Sequence, residues 1–105
     1  MTQHALDLNQ LTRENLAFDG TYGVSRNNRS LGFAPAFRDT ETGRVEIARF
    51  ANGRPAPMHL LEGLPQEWAV GHGGDGRICA VKASIVAGFL HGGLFYTREQ
   101  AAAAR

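Results

Sequence analysis

The chain has 105 residues, 11 of them basic and 10 acidic, for a formal charge of +1, with 43% hydrophobic and 20% charged residues. That length holds one domain around one core, burying roughly 60–70% of the surface the unfolded chain exposes. The balance argues against a disordered chain and gives the molecule as a whole no pull toward nucleic acid or an anionic membrane.

Thirteen glycines and four prolines imply many turns, hence short strands rather than a few long helices. In residues 1–20, Leu6, Leu8, Leu11, Leu16 and Phe18 fit neither a helical nor a strand period. Thr12, followed by Glu14 and Asn15, can start a short helix, and a mobile arm up to about residue 10 is an equal alternative. Residues 21–30, TYGVSRNNRS, read as a loop, because Asn27-Asn28 tolerates turn conformations, with Arg26 and Arg29 facing outward.

The clearest signal follows. An apolar run from Leu31 to Phe37, a turn over Asp39–Gly43 and an alternating run from Arg44 to Phe50 predict a β-hairpin. Pro35 lacks a ladder donor, so its strand is expected at an edge or with a bulge. Asn52-Gly53 marks another turn, and Arg54-Pro55-Ala56-Pro57 is stiff and extended. A second hairpin runs from Glu67–Gly71 through Gly73-Gly74-Asp75-Gly76 into Arg77-Ile78. Residues 78–90, ICAVKASIVAGFL, fit both periods. A single strand is favoured because a Gly-rich turn precedes it, with Gly88 as a candidate bulge. His91-Gly92-Gly93 is a turn before a short strand Leu94–Tyr96. Thr97, with Gln100 three residues on and four alanines beyond, has the capping-box form and predicts a helix from about 98 to 104.

These elements predict an α+β fold for residues 1–105 as a single domain. It is a small antiparallel sheet of about five or six strands built from hairpins, with a short C-terminal helix. The expected core is Phe33, Phe37, Val45, Ile47, Leu61, Leu64, Trp68, Val81, Ile85, Phe89 and Phe95.

The chemistry is sparse. His4, His59, His72 and His91 are scattered and Cys79 is the only cysteine, so no sequence-local zinc knuckle exists and neither a metal nor a cofactor is expected. Cys79, beside Ile78, Ala80 and Val81, reads as a buried inert thiol with no possible intrachain disulfide. Ser25, Ser30 and Ser84 lie in no nucleophile elbow, and the glycines at 71–76 lack the strand-before, helix-after setting of a phosphate cradle. No catalytic residue is assigned, and the reading leans against an enzyme.

Three function classes follow. The first is a non-enzymatic interaction or accessory protein engaging a protein partner, expected as a homodimer because a small open sheet must cover its edges. The second is a nucleic-acid-binding module in which Arg26, Arg29 and Arg38 pair phosphates while Tyr22 and Phe33 stack bases. The third is a small enzyme or ligand binder using His59, His72 and His91 beside the turns, with the Pro-rich loop 51–65 as its place.

Two resemblances accompany these readings. Ile85–Leu94 with Tyr96–Ala102 looks like the first helices of bacterial helix-turn-helix regulators. A recognition helix would have to follow Arg105, so no DNA-reading function is carried over. More broadly, Gly23-Val24-Ser25, Gly32-Phe33, Pro35-Ala36-Phe37, Gly53–Pro57, His59-Leu60-Leu61, Gly63-Leu64-Pro65 and Phe95–Glu99 resemble a group of short uncharacterised bacterial proteins. That resemblance implies a shared fold and no activity. No N-terminal stretch joins a basic end to an apolar core, and no apolar run nears the ~20 residues of a bilayer span, so a cytoplasmic protein without membrane contact is expected.

Overall fold

Turn chemistry cuts the chain into short strands. The computed structural model describes residues 5–18, 23 and 32–103. In chain order these form β1 (Leu6–Asp7), α1 (Leu8–Ala17), β2 (Ala34–Asp39), β3 (Val45–Ile47), a 3-10 turn (Gln66–Trp68), β4 (Ala69–His72), β5 (Ile78–Val81), β6 (Ile85–His91), β7 (Leu94–Thr97) and α2 (Arg98–Ala103). The fold is α+β and mostly strand, with two antiparallel sheets ordered β1-β5-β4 and β3-β2-β6-β7.

Three hairpins form where the turn residues place them. Between β2 and β3, the Asp39 side chain accepts the Glu41 N–H at 2.9 Å, and Gly43 closes the turn with φ of 80°, a left-handed conformation that favours glycine. Between β4 and β5, Asp75 Oδ1 accepts the Arg77 N–H at 3.0 Å. Between β6 and β7, Gly92 and Gly93 both have positive φ, the two-residue geometry that matches the twist of the flanking strands. The capping box is complete: the Thr97 N–H donates to Gln100 Oε1 at 2.9 Å and the Gln100 N–H to Thr97 Oγ1 at 3.1 Å.

Several expectations change. The first helix starts at Leu8, not Thr12, because the Asp7 carboxylate caps it by accepting the Gln10 N–H at 2.8 Å. The Thr12 hydroxyl instead donates back to the Leu8 carbonyl inside the helix. Leu6, just ahead of the cap, pairs with Val81 and is buried. Pro35 lies on an interior strand, since β2 pairs with both β3 and β6. The Pro35 carbonyl accepts the Ala48 N–H. The side of Pro35 that lacks a donor therefore faces the chain just past the end of β3, where no ladder bond is lost.

The run 78–90 is two strands in two different sheets. At the corner the Lys82 N–H donates to the Trp68 carbonyl and the Ile85 N–H to the Lys82 carbonyl, which turns the chain through Ala83-Ser84. Residues 85–91 and 94–97 are thus strands, so the helix-turn-helix resemblance does not describe this fold. Gly88 is no bulge, because β6 keeps regular register with β2 and β7. A Cβ there would collide with the Tyr96 carbonyl and the Phe95 ring, so a side chain is excluded by close approach.

The core lies between the two sheets. Phe37, Ile85 and Ala87 from the four-stranded sheet pack with Val81, Ile78, Trp68, Leu64, Leu61, Leu11 and Leu6. A second cluster joins Phe89, Phe33 and Ala101, seating α2 against β6. Val45, Ile47 and Phe95, expected in the core, are only half-buried and enter neither cluster. Cys79 is also half-buried rather than sealed, since its neighbours Ile78 and Val81 take the inward positions of β5.

Candidate functional site

Two features stand out once the sheets are assembled: a buried polar relay on the inner face of the four-stranded sheet, and an apolar outer face on the same sheet.

The relay starts at His59, in the loop the sequence singled out. The loop folds His59 over the inner face, 9% exposed, with its ring edge-on to Phe37 and Phe89 at centroid distances of 5.3 and 5.1 Å. Arg98 is the first residue of α2 and only 2% exposed. Its guanidinium bonds to Glu14 Oε1 at 3.0 Å, to the Gly23 carbonyl at 2.9 Å and to His59 Nδ1 at 3.1 Å. An arginine only donates, so Nδ1 must carry the lone pair and the ring proton sits on Nε2. That proton is donated to the Gly88 carbonyl at 2.6 Å. The tautomer of His59 is therefore fixed by its two partners.

The electrostatics agree. Burial above all, then the Arg98 charge, lowers the His59 pKa from 6.5 to about 3, against weaker support from the Gly88 and Ala36 carbonyls. His59 is thus a neutral acceptor. Burial also lowers the pKa of Arg98, opposed by Glu14, and an arginine keeps its proton at any working pH. The relay has one formal cation and one formal anion, and burial and the Arg98 charge keep its neutral imidazole from taking a proton.

The outer face follows from strand alternation. Registers Ala36↔Ile47, Ala36↔Gly88, Arg38↔Val45, Arg38↔Val86, Ala34↔Leu90, Leu90↔Phe95 and Gly88↔Thr97 put these residues on one side, away from Phe37 and Phe89. Only Arg38 carries a charge there. Val45, Ile47, Val86, Leu90 and Phe95 are half-buried, and none belongs to either core cluster. An antiparallel sheet with one solvated face ordinarily alternates apolar and polar residues; this one is apolar on both sides.

The other sequence candidates are placed separately. His72 is exposed, its Nε2 within 3.0 Å of Gln66 Oε1. His91 stacks on Phe33 at 4.6 Å and meets Tyr96 edge-on, with Phe33 and Phe89 standing between it and His59. Phe33, just ahead of β2, is buried in this aromatic group, whereas Arg38 is exposed on the outer face of β2, so these two do not form a joint surface. Arg26, Arg29 and Tyr22 lie outside the described residues. Among the described residues, no group of three or more His, Cys, Asp or Glu side chains is gathered as a metal site, and no helix is long and apolar enough to cross a membrane.

Sequence reasoning missed Glu14 and Arg98. Glu14 entered only as a residue of a possible helix start after Thr12, and it meets Arg98 across 84 positions of chain. One signal existed: an arginine directly after an N-cap faces the positive end of the helix dipole, a placement that needs a specific partner. Compared with known proteins, the chain matches no family model, no curated protein and no solved structure.

Proposed function

We propose that this chain is a non-enzymatic interaction module that pairs with a second copy of itself through the outer face of the four-stranded sheet. The observation that carries the reading is the apolar outer face, which spans all four strands and joins neither core. Four strands and three rows of outward residues give this face a footprint of roughly 400 Å², and with Ala36 buried and its neighbours half-buried two copies bury less than roughly 800 Å². That falls below the about 1,200 Å² of stable complexes and supports a reversible, concentration-dependent pair. A two-fold axis running across the strands at the level of Ala36 and Gly88 sets Arg38 of each copy over Ala34 of the other. The two guanidiniums then stay apart while their stems cover apolar surface.

The single cysteine, which can form no intrachain disulfide, supports a cytoplasmic setting. Nucleic-acid binding lacks comparable support, because Phe33 is buried against Phe89 and Tyr96 while Arg38 stands exposed on the outer face of β2. Sedimentation velocity from about 5 to about 500 µM tests the pairing. The native protein is expected to shift from monomer toward dimer, while Leu90→Lys and Val86→Lys remain monomers with unchanged circular dichroism. A native protein that stays monomeric throughout refutes it.

A further inference from the structure

We propose that Glu14, Arg98 and His59 form an acid-released latch that holds α1 and α2 against the sheet. The geometry is a chain of contacts across four elements: Glu14 of α1, Arg98 of α2, His59 of the 48–65 loop and the Gly88 carbonyl of β6. His59 can take part only as the neutral Nε2–H tautomer. A proton on Nδ1 removes the acceptor that Arg98 uses and sets two cations about 3 Å apart inside an aromatic pocket.

Few groups can soften that conflict. Among the described residues His59 is faced by Arg98 from α2, the rings of Phe37 and Phe89, and the carbonyls of Ala36 and Gly88. The carboxylates of Glu14 and Glu99 act on it through Arg98. Relief comes instead from opening. If the helices lift away, His59 regains its ordinary proton affinity, so acid favours the open form. Between the ordinary pKa of 6.5 and the closed value of about 3, the open form binds more protons and the latch weakens as pH falls. Going from about pH 7.5 to about pH 5 raises the opening constant roughly 30-fold.

Amide hydrogen exchange at those two pH values, corrected for intrinsic rates, reads this directly. Amides of α1 and α2 are expected to lose about 30-fold in protection while those of β2 and β6 hold theirs. In His59→Gln, whose amide keeps a donor for Gly88 and an acceptor for Arg98, the helix amides should show no such dependence. Helices that keep their protection at low pH, strands that lose it equally, or a dependence that survives in the glutamine variant would each overturn the latch. Should the variant not fold, ring-nitrogen NMR on the native protein decides. An Nε2–H tautomer that stays neutral at about pH 5 is expected; a folded-state titration near 6.5 refutes the proposal.

Discussion

Lys82 Nζ lies 2.8 Å from Asp39 Oδ2, joining the corner between the two sheets to the end of the first hairpin. Lys82 is the sole lysine of the chain, and Asp39 is 1% exposed. The carboxylate is held on both oxygens, since Oδ1 accepts the Glu41 N–H. Its bond to Lys82 is the largest cause of a pKa lowered from 3.8 to about 2, helped by the Glu41 backbone and opposed by burial.

That pair makes an acid-stability prediction. The folded pKa of Asp39 lies below the unfolded one, so its contribution is fully present above pH 3.8 and is lost as pH falls toward about 2. Lys82→Met strands the buried carboxylate and should destabilise the protein at neutral pH. Asp39→Asn added to Lys82→Met should recover part of that loss, because no uncompensated charge remains. Chemical denaturation of the four proteins of this cycle checks it; a double variant no more stable than Lys82→Met contradicts it.

The Arg98 hub should be the costliest polar position to remove. Arg98→Ala leaves Glu14, His59 Nδ1 and the Gly23 carbonyl without their shared donor, and should cost about 3 kcal/mol or more. Glu14→Gln keeps an acceptor at the partly exposed end of the relay and should cost about 1 kcal/mol. Urea midpoints of the two variants give the comparison, and equal losses would contradict a buried hub.

Gly88→Ala tests close approach in β6. The new methyl meets a backbone carbonyl and an aromatic ring, so it should destabilise by about 2–3 kcal/mol. Gly74→Ala, where a Cβ meets open space, should stay within about 0.5 kcal/mol. Thermal melts of both distinguish crowding from the general entropy effect of replacing glycine.

The capping box of α2 should be worth about 1 kcal/mol at Thr97→Ala. Because α2 seats Arg98, the same variant should increase hydrogen exchange in α1 as well, through the Glu14 contact. Exchange confined to α2 would show that the two helices open independently.

Local chemistry made much of this fold legible from sequence. Asp39–Gly43, Gly73–Gly76 and Gly92-Gly93 specified three turns because aspartate caps turn amides and glycine alone adopts positive φ without strain. Thr97 with Gln100 specified a helix start because both partners of the box lie within one turn. Phe37, Val81, Ile85 and Phe89 were readable as core from apolar alternation.

What alternation does not reveal is where a strand ends when both sides of it are apolar. Residues 78–90 satisfied one strand, and only the Trp68 carbonyl and the Asp39 carboxylate, distant in sequence, explain the turn at Lys82. The same ignorance of partners hid the site. His59 read as a candidate ligand-binding histidine of the Pro-rich loop and is a buried acceptor, because Arg98 and Gly88 come to it from the far end of the chain. The sequence by itself determined the turns, the caps and the inward side chains, each set by contacts a few residues apart. The tertiary structure decided which strands share a sheet and which charges meet, because burial and pairing depend on neighbours that no local spacing encodes.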